Sequence, residues 1–200
     1  KLVDTNDEWI TTRTGIKTRY FAPEGVYTSH LAINAGRQAI EDAGVNPEDI
    51  DLLIVATICP DRPLPSTACF VQHGLGLTNA ASFDLVAACS GFVYALDTAK
   101  QYILAGSAKR VLVIGAETMS RIIDWQDRGS CVLFGDGAGA VVLERVEEPG
   151  KGILSSMLGA NGALSELLRI ETGGTAEPLT HDNLDERRQY VKMEGNVVFK

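Results

Sequence analysis

The chain has 200 residues, 45% hydrophobic and 22% charged, a composition that suits a globular protein with a sizeable core. Its formal charge of −8 argues against non-specific nucleic-acid binding, so an anionic ligand would have to be met by a local group of Arg or Lys. No run approaches the ~18 apolar residues of a membrane span, and no charged-then-apolar leader opens the chain, so the cytoplasm is the expected compartment.

In chain order, Asp7-Glu8-Trp9-Ile10 reads as a helix start with acidic residues in the first turn, closed by Gly15. Thr28 opens a second helix, in which Leu31, Ala32, Ala35, Ala39, Ile40 and Ala43 recur at helical spacing until Gly44. Residues 51–58 form a continuous apolar run between turn residues, the pattern of a strand buried on both faces. Pro65-Ser66 starts a helix running to Gly74 or Gly76, and 81–86 is a short strand that turns out through Ala87-Ala88-Cys89. A helix from Ser90 to about Ala105 follows; its first half is apolar on every side and is expected to be buried all round. Residues 110–115 are another two-sided strand, and the alternation predicts an α/β protein with a parallel or mixed sheet. Two further strands, 140–146 and 152–158, are expected side by side, followed by a long polar loop over 160–190. The chain starts at Lys1 without Met and stops at Val197-Val198-Phe199-Lys200 as an apolar pattern begins, so it reads as a fragment.

Four cysteines, at 59, 69, 89 and 131, contain no CxxC pair, and His30, His73 and His181 lie at no zinc-ligand spacing from them. Cys59, Cys69 and Cys131 read as small buried apolar residues. Cys89 differs because it stands where a strand turns into a helix. Free N–H groups and partial positive charge at a helix start favour the reactive thiolate, and the same N–H groups can receive an oxyanion. Ala87, Ala88, Ser90 and Gly91 leave room for a thioester, although a structural cysteine fits the same place. The glycines of residues 134–140 follow G-x-G-x-G and run into Val141-Val142-Leu143, which predicts a strand. A dinucleotide-binding turn requires a helix there, so close backbone packing explains these glycines better. Trp9, Arg13 and Arg128 together could hold an adenine ring and phosphates; separately, they read as a packing anchor and two solvated charges.

Val3-Asp4-Thr5-Asn6-Asp7-Glu8-Trp9-Ile10 with Arg13-Thr14-Gly15-Ile16 closely resembles the amino-terminal signature of the β-ketoacyl-acyl-carrier-protein synthase III family. Ala87-Ala88-Cys89-Ser90-Gly91-Phe92, Asp127-Arg128-Gly129, residues 134–140 and residues 194–200 fit the same family in its order. The resemblance implies a thiolase-like α/β fold of layered mixed β-sheets with a buried nucleophile helix, and a homodimer. In that reading, residues 1–160 are the amino-terminal half without its first strand, and 161–200 are a loop and the start of the second half.

It further implies that Cys89 is the acylated nucleophile, that Trp9 and Arg128 stack on the adenine of coenzyme A, and that Thr5 lies near while Arg13 faces the phosphates. Phe134 matches an apolar residue near the nucleophile, Leu64 one that floors the partner's acyl pocket, and Gly195 and Asn196 fall in the last matching element on the substrate side. Acyl-CoA and malonyl-acyl-carrier protein would be the substrates, with no metal or redox cofactor. The family's catalytic His and Asn lie beyond Lys200, and His30, His73 and His181 match neither. Other thiolase-fold acyltransferases (thiolase, hydroxymethylglutaryl-CoA synthase, type III polyketide synthase) and an inactive pairing fragment are the competing readings.

Overall fold

A computed structural model describes residues 2–198. They gather into two compact units, one formed by the chain up to Phe21, Met119–Asp136 and the chain from Gly159, the other by Ala22–Thr118 and Gly137–Leu158. The elements are α1 (Asp7–Thr14), α2 (Thr28–Ala43), β1 (Leu52–Ala56), α3 (Thr67–Leu75), β2 (Ala81–Leu85), α4 (Gly91–Leu104), β3 (Arg110–Thr118), α5 (Arg128–Cys131), β4 (Asp136–Glu144), β5 (Leu168–Arg169), β6 (Lys192–Met193) and α6 (Gly195–Val198). Among the described residues, no helix is long and apolar enough to cross a membrane.

The second unit is three layers. Its sheet has the order β2-β1-β3-β4, with β1 parallel to both β2 and β3. Strand periodicity sends alternate side chains to opposite faces. Leu53 and Val55 of β1 join Leu112 and Ile114 of β3 under α2 and α3, while Leu52, Ile54, Val111 and Val113 face α4. Every residue of β1 is buried, as a continuous apolar run requires. Small residues set the spacing: a Cβ on Gly36 of α2 would come within 2.8 Å of Leu75 and 3.0 Å of Ile114.

Helix α4 corrects one expectation. Gly91, Ala95, Ala99 and Ile103 are buried on the sheet, but Val93 and Leu104 are 51% and 61% exposed in this chain. The helix is therefore buried on its sheet-facing side, where Phe92 and Leu96 are also partly buried against the strands, rather than all round.

Strand β3 runs three residues further than expected, to Thr118. Strand β4 starts at Asp136, so the glycine-rich stretch is indeed strand, but the packing explanation holds at one glycine only. A Cβ on Gly135 would meet the Tyr20 carbonyl at 3.2 Å, whereas one on Gly137 or Gly139 would meet nothing within 4 Å among the described residues. Residues 152–158, expected to pair as a strand, carry no ladder among the described residues and are exposed, which leaves β4 as the last strand of its sheet. The stretch 160–190 is more structured than a plain loop. It contains a 3₁₀ turn at Gly162–Leu167, strand β5 paired antiparallel with β6, and an Arg188 that bonds Glu171 at 2.8 Å and Glu177 at 2.5 Å. Phe199 and Lys200, where the closing apolar pattern was placed, lie outside the described residues.

Candidate active site

In the second unit, β1 and β2 end side by side at Ala56 and Leu85 while β3 runs past them to Thr118, and the chain leaves β2 through the turn that carries Cys89. Ligands of open α/β sheets gather at the carboxyl ends of parallel strands. Ala88 has φ +45°, in the left-handed region that a side-chain-bearing residue rarely enters, and a 3₁₀ turn over Ala88–Ser90 follows. Cys89 is exposed there, one turn ahead of α4 rather than inside it. The first residue of α4 is fixed from below, since a Cβ on Gly91 would lie 3.3 Å from the Ala56 Cβ.

Carboxylates hold these strand exits. Glu117, near the end of β3, accepts hydrogen bonds from the Ile58 N–H at 2.9 Å and the Thr57 hydroxyl at 3.2 Å. The Thr57 N–H in turn donates to the Leu85 carbonyl at 3.2 Å, tying the exit of β1 to that of β2. Asp84 caps α3, accepting from the Thr67 and Ala68 N–H groups at 2.7 Å each. Asp61 accepts from the Ser29 N–H at 2.9 Å and its hydroxyl at 2.6 Å. The loop between β1 and α3 is thus pinned near both ends, while Leu64 at its tip is 84% exposed.

The remaining cysteines divide. Cys59 and Cys131 are buried as expected, and burial pushes the Cys131 thiol up. Cys69 is not: it lies on the exposed side of α3 with its sulfur 3.2 Å from the Ser66 hydroxyl, because the buried stripe of that helix is Thr67, Ala68, Val71 and Leu75. Exposure alone therefore does not single out Cys89.

In the first unit, α1 is capped by Asn6, whose side chain accepts the Trp9 N–H at 2.8 Å, and closed by Gly15 at φ +74°, a conformation glycine adopts without a Cβ penalty. This sets Trp9 on the first turn. The Arg128 guanidinium carbon lies 4.3 Å from the Trp9 ring centroid and that of Arg13 lies 5.4 Å from it. Two cations on one indole form the local positive group that an acidic chain needs for an anionic ligand. Thr5, just before the cap, has a buried hydroxyl oxygen without a hydrogen-bond partner among the described residues.

Arg128 opens α5, which Asp127 caps by accepting the Gly129 N–H at 2.9 Å. The Phe134 carbonyl receives Arg19 at 2.9 Å, and the Phe134 ring is half-buried. Gly195 and Asn196 start α6, with Asn196 exposed.

Several of these roles were not anticipated from sequence: Glu117, Asp84 and Asp61 at the strand exits, and Asp124, which pairs with Arg187. The available signal was an acidic residue inside or at the end of an otherwise apolar strand, as in Ser82-Phe83-Asp84-Leu85 and Gly115-Ala116-Glu117.

The family model of 3-oxoacyl-[acyl-carrier-protein (ACP)] synthase III matches residues 83–162. The β-ketoacyl-[acyl-carrier-protein] synthase III of Caldanaerobacter subterraneus subsp. tengcongensis is 54% identical over 200 residues, covering 100% of this chain and 60% of that protein. The crystal structure of 3-oxoacyl-[acyl-carrier-protein] synthase III from Aquifex aeolicus VF5 is 46% identical with a TM-score of 0.86, over 99% of this chain and 59% of that one. The synthase III structure from Thermus thermophilus is 43% identical with a TM-score of 0.87, over 98% and 60%. The chain thus spans about three-fifths of the length of the relatives it matches. A thiolase-like α/β fold, the order of its motifs and these matches agree: the chain belongs to the β-ketoacyl-acyl-carrier-protein synthase III family, as an amino-terminal portion of it.

Proposed function

We propose that the complete polypeptide carrying these residues takes an acyl group, typically acetyl, from acyl-CoA onto Cys89 and condenses it with malonyl-acyl-carrier protein to begin fatty acid synthesis. The observation that carries this reading is the exposed Cys89 on a turn held in the left-handed conformation at Ala88, just past the carboxyl ends of the parallel strands β1 and β2. The Cys89 thiolate attacks the thioester carbonyl, a tetrahedral oxyanion forms, and coenzyme A leaves as its thiolate. Backbone N–H groups hold that developing charge. Trp9 and Arg128 take the adenine ring, with Arg13 towards the phosphates and Thr5 beside them.

In the second stage malonyl-acyl-carrier protein loses carbon dioxide, and its carbanion attacks the Cys89 thioester, releasing the β-ketoacyl product. The His and Asn that stabilise the enolate-like oxygen belong to the part of the family beyond this chain. Residues 1–160 then form the first half-fold and 161–200 lead into the second; Leu64 reaches across a homodimer, Phe134 lies beside the acyl group, and Gly195 and Asn196 fall on the substrate side. The exposed tip at Leu64 favours the cross-dimer role, since the described residues leave most of its side chain uncovered.

The test is steady-state kinetics of the complete enzyme with acetyl-CoA and malonyl-acyl-carrier protein. Ping-pong patterns with β-ketobutyryl product support the reading; an intersecting pattern with no acyl-enzyme contradicts it.

A further inference from the structure

The Arg128 side chain is long and exposed, so its aim depends on how firmly the backbone beneath it is fixed. That backbone is organised by a carboxylate four residues earlier. Asp124 is 4% exposed, and a buried carboxylate must be paired to be tolerated. Its pairing comes from a distant stretch of the same unit. Arg187 donates through Nε to Oδ2 at 3.0 Å and through a second guanidinium nitrogen to Oδ1, and the Lys192 Nζ lies 3.6 Å away. Arg187 makes this contact from φ +58° and sets its guanidinium 5.0 Å from the Tyr190 ring. A second tie runs beside it, from the Val191 N–H to the Ile122 carbonyl at 2.9 Å.

On its other side Asp124 shapes the turn into α5. Its Oδ1 accepts the Gln126 N–H at 2.8 Å, and its carbonyl accepts the Asp127 N–H at 3.0 Å. Asp127 then caps α5 through the Gly129 N–H at 2.9 Å and the Ser130 hydroxyl at 2.5 Å. Arg128 is the next residue along the chain. One hydrogen bond and one peptide unit therefore separate the buried ion pair from the guanidinium over Trp9.

We propose that Asp124, locked by Arg187 and Lys192, is a positioning residue that sets the Arg128 guanidinium for the adenine of coenzyme A; this rests on the reading of Trp9 and Arg128 as the adenine seat. The Arg187 hydrogen bonds hold the Asp124 carboxyl down to about 2, so the lock keeps its charge throughout the neutral range. Asp124 makes its contacts within this unit, and its effect on the nucleotide runs through Arg128.

The test uses the complete polypeptide with two acyl donors, acetyl-CoA and acetyl-pantetheine, the second lacking the adenine nucleotide. Asp124→Asn should raise the KM for acetyl-CoA about threefold, leave kcat near wild type, and leave the KM for acetyl-pantetheine within experimental error. Arg187→Lys, which keeps the charge and loses the planar fork, should act in the same direction more weakly. In an Arg128→Ala background, Asp124→Asn should add nothing, because the group it positions is gone.

Equal damage to both donors, or a full Asp124→Asn effect in the Arg128→Ala background, overturns the positioning role. If Arg128→Ala raises the acetyl-CoA KM while Asp124→Asn is silent, the adenine seat survives and the lock does not. If Arg128→Ala is itself silent, the adenine seat is overturned and the proposal falls with it.

Discussion

The Trp9–Arg128 contact makes a quantitative prediction because its two partners are too close to admit a ring. Carbon atoms in contact sit about 3.5–4 Å apart, so a purine between an indole and a guanidinium needs ~7 Å. The observed separation is 4.3 Å, and Arg128 must retreat by roughly 3 Å before adenine can enter. Stacking a base on an aromatic side chain is worth ~1–3 kcal/mol, and the exposed Arg–Trp contact it displaces ~0.5–1 kcal/mol. The net contribution of Trp9 is then about 1–2 kcal/mol, or about a tenfold change in affinity. Trp9→Ala should raise the KM for acyl-CoA about tenfold. Arg128→Ala should raise it less, about fivefold, because removing the guanidinium also clears the indole it covers. Both variants should leave the KM for malonyl-acyl-carrier protein unchanged, measured by initial rates with each substrate varied in turn. Equal losses for both substrates, or an Arg128→Ala loss larger than that of Trp9→Ala, would refute the displacement argument.

The Asp124 pair should give an acid-dependent stability. Its folded carboxyl is lowered from 3.8 to about 2, so its contribution of ~2 kcal/mol is complete above the unfolded value and lost as pH falls from about 4 through about 2; urea midpoints should fall more steeply across that window in wild type than in Asp124→Asn. At Ala88, left-handed strain of ~1–2 kcal/mol is relieved by Ala88→Gly but offset by the freer unfolded chain, leaving stability within about 1 kcal/mol of wild type. Ala88→Val should cost ~2 kcal/mol or more by denaturant titration, and equal tolerance of Val and Gly would contradict the strained turn. Gly91→Val places new atoms on a contact that is already 3.3 Å for a Cβ, and should cost ~1–3 kcal/mol in stability and slow Cys89 acylation in single-turnover assays. Unchanged acylation would show that α4 is free to shift.

Much of the fold was legible because its cues are local. Gly15, Gly44 and Gly76 end helices where the pattern placed them, and β1 and β3 are apolar runs of the length a doubly covered strand needs. Where reading from residues failed, the deciding partner was distant. Residues 152–158 look like strand but require a neighbour, and no ladder forms on them among the described residues. Helix α4 is apolar on more sides than the sheet beneath it can bury.

The site divides in the same way. Cys89 stood out by its place at a strand–helix turn, but φ +45° at Ala88 has no local signature, since nothing in an alanine demands it. Trp9, Arg13 and Arg128 were suggestive only as a group, and their meeting on one ring depends on packing between residues more than a hundred positions apart in the chain. Arg187 is one of two adjacent arginines; nothing in the sequence says that one reaches Asp124 while the other spans three glutamates.

The central claim is that Cys89 carries the acyl group, and two exposed cysteines make the measurement discriminating. The complete polypeptide should be mixed with radiolabelled acetyl-CoA without malonyl-acyl-carrier protein, quenched in acid, digested, and mapped by mass spectrometry. One acetyl group per chain on the peptide containing Cys89, with Cys69 unmodified and the label absent from Cys89→Ser, is the expected result. Stable label on Cys69, or labelling that survives Cys89→Ser, would contradict the account.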